Sequence, residues 1–131
     1  YLKDYNLVIV NRKLKNSSNL DQNINLYKIT RNLVSNFLGY LVEKKLKLNV
    51  YGDTQAGLKA FKMNSHIKRN KFFSKYYFFD IELIKIFRIN KARVKLIPVK
   101  YKISKKSSIN IFSFKNILYI LEFLKVLKKY S

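Results

Sequence analysis

Leu7-Val8-Ile9-Val10 is a continuous apolar run, three of its four residues β-branched, set between Asn6 and Asn11. A strand wetted on one face alternates apolar and polar residues; an unbroken run is expected of a strand covered on both faces. Cover on both faces means layers, with sheet inside and helices outside, so the run predicts an α/β arrangement. An apolar fraction of 48% is ample for the core such layers need and sets the chain apart from disordered sequences. At 131 residues the chain is one domain or part of one.

Helical spacing supplies the cover. Ile24 to Leu46 predicts a helix, with Leu26, Ile29, Leu33, Phe37 and Leu41 recurring at three- and four-residue steps and Val34, Leu38 and Val42 widening the stripe. Such a helix is expected to bury that stripe. Arg31 and Ser35, four apart, share a face. Lys13 to Asn23 is polar and reads as a surface loop, and Lys59 to Asn70 as a basic helix and loop. Asp80 is the expected N-cap of a helix over Ile81–Ile89, with Glu82 in its first turn and Asn90 as its stop. Capping accounts for both carboxylates, so Asp80-x-Glu82 is discounted as a metal motif. Arg93 to Ile103 predicts a strand in which Pro98 marks a bulge or an edge.

Residues 111–130 predict a final helix. Ile117, Ile120, Leu121, Leu124 and Leu127 form its apolar stripe, with Lys115, Glu122, Lys125 and Lys128 elsewhere. Charge interrupts it too often for a membrane span, which needs about 20 mostly apolar residues. Two readings stay open for residues 108–131: a helix covering the sheet, or an interfacial amphipathic helix with lysines toward lipid phosphates.

The net charge is +21, with 28 Lys and Arg against seven acidic residues. Lysine supplies most of it, and abundant Lys, Asn, Ile, Tyr and Phe together are what an AT-rich genome produces whatever the function. Such a surface attracts polyanions and anionic membranes, less so at high salt. Absence of cysteine removes disulfides and thiolate metal sites. The single histidine, His66, cannot build a zinc site and reads as solvated. Phe72, Phe73, Tyr76, Tyr77, Phe78 and Phe79 form an aromatic cluster that packs core, lines an acceptor groove or stacks nucleic-acid bases. A basic RNA-binding protein of organellar ribosomal type is therefore an alternative. Zinc spacing and aromatic-glycine RNA-binding signatures are missing, so no specific nucleic acid is expected.

Chemistry concentrates in Gly52-Asp53-Thr54-Gln55-Ala56-Gly57-Leu58-Lys59-Ala60-Phe61. A carboxylate in so positive a field is ionised and able to orient a cation, a hydroxyl or a guanidinium. Asp-Thr in a turn also bonds nearby backbone amides.

Asp53 to Lys59 resembles the Asp-Thr-Gln-x-Gly-Phe-Lys segment of family-two glycosyltransferases, nearest in pattern to the dolichyl- and polyprenyl-phosphate sugar transferases. Other features follow in order. Leu7 to Arg12 looks like the strand ending in Gly-Ser-Arg, Arg31 to Ser35 like the Arg-x-x-x-Ser helix, and Phe79 to Leu83 like Phe-Asp-x-Glu-Leu. Ile97-Pro98-Val99 looks like the short Pro-Val strand, with Ser107-Ser108 where serine is frequent. Asn11 stands in place of serine and Leu58 in place of phenylalanine.

The resemblance implies a nucleotide-diphospho-sugar transferase (GT-A type) fold, a mixed sheet flanked by helices, of which residues 1–131 would be one incomplete, C-terminal part. It implies inverting transfer of a hexose from a nucleotide sugar donor to a lipid-phosphate or glycan acceptor, on the cytoplasmic face of a membrane. By motif match Arg12 and Arg31 contact phosphate, with Ser35 beside them and Lys59 a weaker candidate. Asp53 is the catalytic candidate, holding sugar or acceptor or acting as base, and Gln55 bonds sugar or phosphate. A divalent metal, magnesium or manganese, is expected in the complete enzyme on ligands from an N-terminal half with no counterpart here. The isolated chain is expected to be inactive.

Overall fold

In a computed structural model of the chain, residues 1–20, 26–63, 65–74, 78–102 and 115–131 are described, the side chains of Tyr27, Lys28, Ser65, His66 and 115–117 excepted. The apolar run is the middle strand. β1 (Leu7–Asn11) pairs antiparallel with β3 (Lys59–Phe61) on one side and parallel with β4 (Val94–Pro98) on the other. Leu7 faces Phe61 and Val94, and the parallel register runs to Asn11 opposite Pro98. β4 is thus an edge strand, which is where a proline that cannot donate to a ladder is tolerated. Beyond Pro98 the chain switches partner: β5 (Lys100–Tyr101) pairs in parallel with β2 (Ser18–Asn19). A short strand therefore lies inside the expected loop.

Helices flank this small mixed sheet. They are α1 (Leu26–Leu46), α2 (Ser65–Arg69), α3 (Phe79–Ile89) and α4 (Lys115–Tyr130). α3 supplies the most core, burying Ile81, Leu83, Ile84, Ile86 and Phe87. These meet Leu7 and Ile9 of β1, Val42 and Leu46 of α1, Leu48, Val50 and Ile67, and Phe123 and Val126 of α4 in one cluster. Each fully buried Leu, Ile or Phe is worth roughly 1.5–3 kcal/mol relative to exposure. Phe87 meets Phe61 edge-on at 6.0 Å, and Phe78 meets Phe123 at 5.1 Å.

Three expectations are corrected. Residues 59–61 form β3 rather than helix, because the backbone there completes the ladder to β1. Asp80 is not the N-cap: α3 begins at Phe79 with Phe78 capping, and no side chain bonds the cap. Asp80 instead takes Lys59 at 3.1 Å, while Asn90 does end the helix. The stripe of α1 is only half used. Val42 and Leu46 are buried, but Leu26, Ile29, Leu33 and Phe37 are exposed, since the core is reached only by the C-terminal half. On α4, Ile120, Leu121 and Leu124 likewise face outward, while Glu122, Phe123 and Val126 turn in. No helix of the described residues is long and apolar enough to cross a membrane. The expectations at Ile24, Tyr76, Tyr77, Ile103, Ser107, Ser108 and 108–114, and for the His66 side chain, lie outside what is described.

Candidate functional site

The C-terminal end of β1 carries Arg12, and the turn after α1 carries Asp53; the fold closes them on each other. Arg12 Nη2 donates to Asp53 Oδ1 at 2.5 Å, and Nε donates to both carboxylate oxygens at 3.2 Å. The Arg12 backbone N–H donates to Oδ2 at 2.6 Å. Both oxygens of Asp53 are thus spent on one residue. The Asp53 side chain is only 2% exposed, whereas that of Arg12 is 36% exposed. Donating to the Asp53 carboxylate holds the Arg12 guanidinium above its ordinary pKa despite burial, so the cation is permanent. Of the readings open for Asp53, orienting a guanidinium is the one the geometry realises.

Neighbouring groups fix the frame. Buried Asn11 donates from Nδ2 to the Val50 carbonyl at 2.7 Å and accepts from the Lys13 backbone N–H at 2.9 Å. Its amide thus spans from β1 to the turn and also closes a local Asx turn. The Val50 carbonyl also accepts from the Asp53 backbone N–H at 3.0 Å. Ser17 donates to the Asn11 carbonyl at 2.6 Å and accepts from the Val99 backbone N–H at 2.9 Å, tying the loop after Arg12 to the end of β4. Tyr101 of β5 lies 6.0 Å from the Arg12 guanidinium carbon. Asp53 takes the Nε–Nη2 edge of the fork, leaving the Nη1 end as the donor pair that Asp53 does not use.

The turn itself is unusual. Lys47, Asn49, Tyr51 and Gly52 all have positive φ, between 50° and 70°. Left-handed backbone at a non-glycine residue costs on the order of 1 kcal/mol each. Glu43 compensates: Oε1 accepts from Val50 N–H at 2.7 Å and Gly52 N–H at 3.1 Å, and Oε2 from Asn49 N–H at 2.9 Å. Cations of α3 close the other side. Arg88 donates to the carbonyls of Leu48 and Asn49, and Lys85 to that of Leu46. Positive groups suit the carbonyl-rich end of a helix.

The remaining expected site residues separate from this pair. Arg31 and Ser35 are exposed on the outer half of α1, and no hydrogen bond or ion pair among the described residues joins them to Arg12 or Asp53. Gln55 is exposed in the turn. Lys59 is nearly enclosed, with a 6% exposed side chain that donates to the Ala56 carbonyl and pairs with Asp80. Spacing did not single out Glu43, although a lone acid one turn before a glycine turn was its signal. Tyr101 gave none, because its approach depends on β5.

Among the described residues no three acidic or histidine side chains are grouped to hold a metal ion. Asp53 and Asp80 are each committed to a cation, so the residues here do not fit a divalent metal. Comparison with protein-family models, with curated proteins and with solved structures returns no match.

Proposed function

We propose that this chain is the acceptor-side part of an inverting glycosyltransferase of the GT-A type, and that Arg12 holds the phosphate of a polyprenyl- or dolichyl-phosphate acceptor. One observation carries the reading: Asp53 clamps a partly exposed guanidinium, bringing together the two residues that matter most in the resemblance from 41 positions apart. A phosphate monoester is largely ionised near neutral pH and is itself the nucleophile, so the chain needs no general base for it. It needs a fixed cation. Arginine suits because its planar fork offers paired donors to phosphate oxygens. Asp53 prevents the fork from rotating, which cuts the ordering cost of binding. Arg31 and Ser35, on the exposed half of α1, stand apart from this pair and are left out of the acceptor contact. Stabilising the diphosphate that leaves belongs to groups on the donor side, so the isolated chain binds acceptor without transferring sugar.

Titration of the purified chain with farnesyl phosphate tests this. Saturable binding that is lost in Arg12→Ala is expected, with no competition from a short RNA. Binding that survives in Arg12→Ala, or that RNA displaces, overturns it.

A further inference from the structure

We infer that the outward apolar faces of α1 and α4 form a docking surface for an anionic lipid bilayer. On α1 every described side chain from Ile29 to Leu38 is exposed. Leu26 is 79% exposed, Leu33 64% and Phe37 62%. On α4, Leu118, Ile120, Leu121 and Leu124 are all about half exposed. α1 and α4 also touch.

Charge selects the occupant. The exposed cations on these helices include Arg31, Lys44, Lys45, Lys125, Lys128 and Lys129. Each helix has one acid, and neither shows it to solvent as a free carboxylate. Glu43 is engaged by three backbone N–H groups, and Glu122 is 8% exposed. Lys125 and Lys129 stand over the half-exposed Phe73 ring at 5.9 and 6.0 Å, beside Lys128 in a shallow depression of about 380 Å³. Leucine and isoleucine at the centre with ammonium groups at the margin is the composition that lies in a lipid headgroup layer. RNA would use the cations and leave the aliphatic side chains wet. A bilayer takes both.

The inference deepens the lipid-phosphate reading of Arg12 and rests on it, since such an acceptor is presented at a membrane surface. The two are separable by experiment. The full chain is floated with vesicles of phosphatidylcholine alone and with phosphatidylglycerol added. It is expected to rise only with the anionic vesicles. Leu33→Ser with Phe37→Ser, and Leu121→Ser with Leu124→Ser, preserve charge and touch no buried residue; each pair should lower the bound fraction about tenfold or more. Farnesyl phosphate binding is titrated on the same parent preparation. Serine variants that float like the parent, a parent that stays with the protein-only control, or self-association abolished by the same serine pairs would each overturn the docking surface. Flotation without farnesyl phosphate binding would instead sink the acceptor reading and leave the surface standing.

Discussion

Gly39 of α1 and Gly52 of the following turn meet backbone to backbone: a Cβ on Gly39 would stand 2.5 Å from the Gly52 carbonyl oxygen. The neighbour is main chain, so it cannot swing aside as a side chain would. Gly52 is doubly constrained, because its φ of +70° also disfavours any Cβ. Gly39→Ala is expected to destabilise the chain by about 1–3 kcal/mol, read as a lower urea midpoint at unchanged slope. Gly57 is the internal control. Nothing lies within 4 Å of its added Cβ, and its φ is not positive, so Gly57→Ala should be neutral or stabilising by up to about 1 kcal/mol.

Asp53→Asn replaces one acceptor oxygen by an amide that points N–H groups at the Arg12 fork. The guanidinium is then free to turn toward solvent. Affinity for farnesyl phosphate should fall roughly tenfold or more, the usual consequence of losing a positioning contact. Stability should fall by about 1–3 kcal/mol, the scale for leaving buried polar partners unsatisfied. Calorimetric titration and urea unfolding on one preparation separate the two effects.

Glu43 acts through the backbone rather than on any ligand. Glu43→Gln leaves one acceptor oxygen for three N–H groups, at a cost of about 1–3 kcal/mol. Amide exchange should quicken first at Asn49, Val50 and Gly52. Because Val50 anchors both Asn11 and Asp53, the same variant should also weaken farnesyl phosphate binding. Unchanged protection at those three amides would show that the carboxylate is not what holds the turn.

Glu82 adds an acid-sensitive contribution to stability. Burial alone would push its carboxyl up, but the Ser74 backbone N–H and the Lys129 ammonium outweigh it and hold the pKa below the ordinary carboxylate value. A depressed carboxylate binds fewer protons folded than unfolded. Its contribution is therefore full above the ordinary range, near 4.3, and fades as pH falls through the folded value. Glu82→Gln should lose stability at neutral pH and show a flatter decline between neutral and acid conditions in thermal melts.

Local chemistry was legible where one element decides the outcome. The unbroken run Leu7–Val10 read as a strand and is the middle one of three, with Leu7 and Ile9 in the core cluster and Val8 and Val10 outside it. Asn90 stopped α3, and Pro98 fell on an edge. What depends on partners distant in sequence was not legible. Spacing cannot show that Asp80 folds back onto Lys59. Asp80 looked like a cap for the same reason. A stripe of leucines reads the same whether it faces a core or open solvent, so the outward turn of α1 and α4 appeared only in three dimensions. Arg12 and Asp53 were each marked, yet nothing local said that they would clasp. Tyr101 depends on a two-residue strand whose pairing no propensity announces.

The parallel pairing of Leu7 with Val94 has a bearing on biogenesis. A ribosome delivers the central strand long before its edge neighbour emerges, and separations of that kind make for slow closure. Throughout that interval Leu7–Val10 stands as a sticky, unzipped template in the nascent polypeptide. Expression in a heterologous host should accordingly be helped more by chaperones that shield an emerging chain than by slower induction.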